Sequence, residues 1–148
     1  MTIAYYLKNT YFLGSGQTGF NLYSMIDNQR IIGLKSSEID WAYDSRLWVQ
    51  ARGCNALFEG FTEEGKMRLN VRPSADVDIL GAVQVDRGIY NVELPLDEVE
   101  RVWEERVPYL DFKFPEVLPT VTELDVSDLK ANLGFDGIFF GLYGKFGI

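Results

Sequence analysis

The sequence predicts one domain of the α+β class: an antiparallel, hairpin-rich sheet of six to nine strands, with one or two helices from the C-terminal half packed on it. Three observations predict it. The first two thirds of the chain alternate short apolar runs with glycine-bearing turns. From Pro95 onward, apolar residues recur at helical spacing. The 148 residues are 47% hydrophobic and 14% aromatic with 14 Gly, enough apolar side chain for a single core and a mix that leans toward strands and tight turns.

The elements follow in order. Ile3 to Leu7 and Thr10 to Leu13 are apolar and aromatic and read as strands. Phe20, Leu22, Ser24 and Ile26 alternate with Asn21, Tyr23, Met25 and Asp27, the period of a strand with one mostly apolar face. After a turn at Asp27-Asn28-Gln29, Arg30 to Leu34 resumes as a strand. Ser36-Ser37-Glu38 can cap a short helix from Ile39 to about Tyr43, and Arg46 to Ala51 fits a strand or a helix, with strand the preferred reading. Asn55 to Phe61 and Lys66 to Arg72 flank Thr62-Glu63-Glu64-Gly65, the clearest hairpin in the chain. Asp78 to Val85 and Ile89 to Leu94, joined at Asp86-Arg87-Gly88, form a second.

Beyond Pro95, Asp97 serves as an N-cap, and Val99, Val102, Trp103 and Val107 make an apolar stripe on a helix that Pro108 ends. Residues 109–122 carry Pro115 and Pro119 and read as an extended connection. Ser127 caps a second short helix from Asp128 to Leu133, stopped by Gly134. The apolar stretch 138–148 is a final strand, either buried or used for assembly.

Gly14-Ser15-Gly16-Gln17-Thr18-Gly19 fits the G-x-G-x-x-G phosphate-binding pattern. A dinucleotide fold also needs a helix opening at the glycines and an acid ending the next strand. Here Phe20 to Asp27 alternates like a strand and Lys35 stands where the acid belongs, so the glycines read as a turn. Residues Leu129 to Ile138 resemble a unit found late in some ADP-ribosyltransferase domains. Those enzymes use a downstream catalytic Glu, and no acid follows Asp136, so the segment reads as structural.

The chemistry is bounded by what is missing. There is no histidine, which removes the commonest general base and metal ligand. The single cysteine, Cys54, cannot form an internal disulfide, and a zinc site would have to lean on carboxylates. No catalytic residue, cofactor or metal is therefore assigned. The N-terminus has no basic segment before a long apolar run, so a reducing, cytoplasmic setting is expected.

Charge is the strongest signal. Residues 86–128 hold twelve acids against four bases, an excess equal to the whole net charge of −8. Such a chain repels nucleic acid and anionic membrane and attracts basic protein. Asp97, Glu98, Glu100, Glu104, Glu105 and Asp111 are the candidate partner-binding residues, most of them on the polar side of the expected helix. The functional expectation is a non-catalytic acidic protein that neutralises a basic partner, such as a toxic nuclease. Bacterial immunity proteins and antitoxins have that profile. The alternative is a small β-rich ligand-binding domain or enzyme whose pocket is lined by Tyr23, Trp41 and Trp48.

Overall fold

The computed structural model describes residues 2–24, 27–114 and 119–131. They fold as an antiparallel β protein. The α+β expectation is overturned, because the described helices are one or two turns long: α1 (Asp76–Leu80) and α2 (Val126–Ala131). The expected stop at Gly134 and the expected strand at 138–148 lie outside the described residues.

The chain divides into two compact units, one formed by residues 2–45 and 106–120, the other by 46–105 and 121–131. In the first unit, β1 (Thr2–Tyr6), β2 (Asn9–Gly16), β3 (Gly19–Ser24) and β4 (Arg30–Leu34) form a meander. β1 also pairs with the start of β5 (Trp41–Ala51), with Ala4 opposite Ala42. The glycine motif is the β2–β3 hairpin, with Gly16 opposite Gly19. Gly19 has φ of 139°, and a Cβ there would lie 2.6 Å from the Leu34 carbonyl oxygen. These glycines let strands approach, which is the geometric reason for their spacing. Ala4, Leu22, Leu34, Ile39 and Ala42 form the core of this unit, flanked by Phe20 and Phe112 in edge-to-face contact at 5.0 Å.

In the second unit, the later part of β5 pairs with β6 (Cys54–Phe61), which pairs with β7 (Met67–Val71). Next come β9 (Ile89–Leu94) and, at the edge, β8 (Val83–Asp86). Strand period governs this sheet. Leu47, Val49 and Ala51, then Cys54, Ala56 and Phe58, then Met67, Leu69 and Val71 are buried on one side. Arg46, Trp48 and Gln50, then Asn55, Leu57 and Glu59, then Arg68, Asn70 and Arg72 occupy the alternate positions. Both expected hairpins exist, although the first half of the second is α1, closed by Gly81 at φ 72°, followed by the short β8.

Two helix expectations fail. Ser36–Glu38 is a single 3₁₀ turn, and the residues from Trp41 continue as β5. More consequentially, of the expected helix from Asp97 to Val107 only Asp97 and Glu98 are helical, within the 3₁₀ turn Leu96–Glu98, and β10 (Val99–Pro108) replaces the rest, paired with β11 (Val121–Leu124). Three valines and a tryptophan in Val99–Val107 favour a strand on propensity. The helical spacing of Val99, Val102, Trp103 and Val107 is a coincidence, since burial along β10 alternates with strand period. Its buried side carries Val102, Glu104 and Arg106. Two charges on the inward face erase the alternation that marks a strand in sequence.

Candidate functional site

β10 redistributes the six candidate acids. Asp97 and Glu98 belong to the 3₁₀ turn, and Glu100, Glu104 and Glu105 lie on the strand, where parity puts Glu105 opposite to the other two. Glu104 is buried, 3% exposed, and engaged within the fold. It is not available to a partner. Asp111 belongs to the first unit, where it lines an open cleft of about 330 Å³ with Ser36, Ser37, Asp40 and Lys113.

The structure brings Glu98 and Glu100 together at the Arg52-Gly53 turn between β5 and β6, with Asp97 next to Glu98 in the 3₁₀ turn. Arg52 donates from Nε and Nη2 to the two Glu98 carboxylate oxygens at 2.7 and 3.1 Å. Its Nη1 reaches the Ile79 and Leu80 carbonyls at 3.3 and 3.4 Å, serving acceptors left over at the end of α1. The Gly53 N–H donates to Glu100 Oε1 at 2.9 Å. The bond to Glu98 holds the Arg52 guanidinium above its already high range. Asp76 and Asp78 of α1 add two more carboxylates to this end of the unit. Beneath them, burial pushes the Cys54 thiol up, helped by its hydrogen bond to Asp76 and by the charges of Asp76 and Glu100. Cys54 is therefore a protonated, inert core thiol at neutral pH.

The outer face of the second unit carries a different constellation, and sequence reasoning found only part of it. Trp48, Asn55, Arg72, Pro73, Ser74, Asp76, Trp103 and Glu105 line an open cleft of about 560 Å³. Arg72 lies over the Trp48 ring at 5.0 Å and Arg101 over the Trp103 ring at 5.1 Å. The Trp48 indole N–H donates to Glu105 Oε1 at 3.3 Å, and Arg46 Nη1 stands 3.9 Å from the same oxygen. Arg101 is held at both Nε and Nη2 by Glu123, at 2.9 and 2.8 Å. Those bonds hold the Glu123 carboxyl below its ordinary range.

Of the expected pocket aromatics, only Trp48 lines this cleft. Tyr23 and Trp41 belong to the first unit, where Trp41 stacks between Tyr5 at 5.0 Å and Tyr43 at 5.6 Å. Trp103 and Arg72 were the missed members. The signal that finds them is strand parity: Trp48 shares its face with Asn55 and Arg72 once the 46–51, 54–61 and 67–71 strands are in register.

Among the described residues, no group of three or more Cys, Asp or Glu is placed to hold a metal ion, and no helix is long and apolar enough to cross a membrane. What the arrangement offers is hydrogen-bonding and stacking chemistry at the cleft, and negative potential at the Arg52 turn. No family model matches the chain, and neither a curated protein nor a solved structure matches it.

Proposed function

We propose that this chain is a non-catalytic binding protein that engages a basic protein partner through the acidic end around the Arg52-Gly53 turn, in the manner of an immunity protein or antitoxin. The fixing of Glu98 by Arg52 and of Glu100 by the Gly53 N–H, with Asp97 beside Glu98 in its 3₁₀ turn and Asp76 and Asp78 on the helix whose end Arg52 also binds, carries the reading. Glu98 and Glu100 are fixed by the chain itself, so they supply negative potential from set positions. Asp78 and Asp97 are exposed, and their side chains make no hydrogen bond or ion pair among the described residues. They are the groups free to pair directly with a partner's Lys or Arg. A net charge of −8 steers a cationic partner toward such a surface and disfavours nucleic acid and anionic membrane. A reducing compartment such as the cytoplasm suits the lone thiol of Cys54.

The test begins with a salt-stepped pull-down from the native host to obtain the basic partner in stoichiometric amount. Its association rate is then compared for the wild type and the D78K/D97K double variant. The reading expects the reversal to slow association about tenfold at low salt and to flatten the salt dependence. An unchanged on-rate with a partner in hand removes the acidic end as the docking surface.

A further inference from the structure

Two arginine–tryptophan stacks share the outer face of the second unit, and only one is closed by the chain. Stacking occupies the π face of a guanidinium and leaves its in-plane N–H edges for a planar acceptor. Arg101 illustrates this: it stacks on Trp103 at 5.1 Å while two of its nitrogens donate to the two oxygens of Glu123. Arg72 makes the same stack on Trp48 at 5.0 Å, yet no carboxylate among the described residues pairs with it.

The backbone of Arg72 is nevertheless held in place. Pro73 restricts its backbone to extended conformations. Its carbonyl accepts from Ser74 Oγ at 3.2 Å, and that oxygen accepts the Asp76 N–H at 3.1 Å. Its platform is fixed too, because the Trp48 indole is tied to Glu105. The neighbouring Asn55 is exposed, and its side-chain amide has no hydrogen-bond partner among the described residues. An oriented guanidinium fork, an amide donor and two indole rings thus border one cleft of about 560 Å³, within the size range of small-molecule sites.

We infer that this cleft binds a small organic carboxylate: the head group pairs with the in-plane edge of Arg72 and the Asn55 amide, and a flat apolar body lies along Trp103 and Pro73. The carboxylates of Asp76 and Glu105 at the rim set the charge it accepts. They oppose added negative charge, a dianion such as a phosphate monoester more than a monoanion. Asp76 borders both this cleft and the acidic end, but carboxylate binding in the cleft does not rest on a basic partner docking there.

Benzoate is the probe, titrated into the full chain while proton–nitrogen NMR follows the Arg72 Nε–H and the Trp48 and Trp103 indole N–H resonances. Benzamide, the same shape without the charge, is the control, and phenyl phosphate is the dianion. The expected result is a saturable shift of the Arg72 and Trp48 signals with benzoate, at least about tenfold weaker binding of the other two, and the same loss in R72K. R101K, whose fork Glu123 already occupies, is expected to bind benzoate like the wild type. The N55L variant, which leaves Arg72 intact, is expected to weaken benzoate alone and guards against misfolding of R72K. Equal binding of benzoate and benzamide, full affinity in both R72K and N55L, or no saturation by about 10 mM benzoate would each overturn the inference.

Discussion

Arg101 on Trp103 and Arg72 on Trp48 are built from the same two side chains at nearly the same separation, 5.1 and 5.0 Å. They differ in what lies in the plane of the guanidinium. Glu123 of β11 closes the first with two charge-assisted bonds. The second faces a cleft rimmed by Asn55, Ser74 and Asp76. They differ again beneath: the Trp48 indole is anchored to Glu105, whereas the Trp103 indole N–H has no hydrogen-bond partner among the described residues. In the closed stack the chain fixes the arginine with its own acid. In the open one it fixes the ring, and the arginine's edge stays available. A cation–π pair on a sheet face is thus compatible with either a structural or a receptive role, and the in-plane partner decides which.

The largest expected effect tests the anchoring. Trp48→Ala removes a half-buried ring, the platform of Arg72 and the bond to Glu105, and should destabilise the protein by about 2–3 kcal/mol. Trp103→Ala removes a ring without a hydrogen bond and should cost about 1 kcal/mol less. Urea unfolding of both variants measures the difference. Equal losses would mean that the Glu105 bond contributes nothing and that the two stacks are interchangeable.

The next effect closes the open stack. In the β6–β7 pairing, Leu57 stands opposite Asn70, which carries Asn55 and Arg72 to neighbouring positions on the same face. Asn55→Asp places a carboxylate beside Arg72, as Glu123 is placed beside Arg101. Stability should rise by no more than about 0.5 kcal/mol, since the pair is exposed. Benzoate affinity, by contrast, should fall at least about tenfold because the fork is then occupied and the rim carries one more negative charge. Undiminished benzoate binding in this variant would show that the fork does not hold the ligand.

How much of this was legible in the sequence depends on which face a strand turns inward. In β5, β6 and β7 every inward position from Leu47 to Val71 is apolar, so the hairpin at Gly65 could be read directly, whereas the apolar outer residue Trp48 left 46–51 open between strand and helix. β10 defeated the same rule because Glu104 and Arg106 are buried beside Val102, and the surviving apolar residues happened to match a helix. That one misreading moved the candidate acids. On a helix, Glu98, Glu100, Glu104 and Glu105 would share a solvent face. On the strand, Glu104 turns inward and Glu105 meets Trp48. The link between Arg52 and Glu98 spans 46 residues, and the cleft joins Trp48 to Trp103. No local pattern encodes contacts of that separation. Strand pairing creates them.

The smallest effect concerns pH and works on the closed stack. The hydrogen bonds from Arg101 hold the Glu123 carboxyl below its ordinary range. A carboxylate lowered in the folded state contributes stability that is complete above its unfolded value and is lost as pH falls through the folded one. The contribution is small, because both side chains are more than half exposed and salt screens them. Its structural consequence is sharper than its energy. Once Glu123 is protonated, Arg101 stacks on Trp103 with no charged in-plane partner, which is the state of Arg72 on Trp48 at neutral pH. Acidification should therefore move the Trp103 indole resonance in a transition centred below the ordinary carboxylate range. Glu123→Gln should fix it at the low-pH position at every pH. The same variant at neutral pH should also acquire a second, weaker benzoate site that reports through Trp103. If Glu123→Gln leaves the Trp103 resonance and the benzoate stoichiometry as they are in the wild type, then the in-plane carboxylate is not what separates the two stacks.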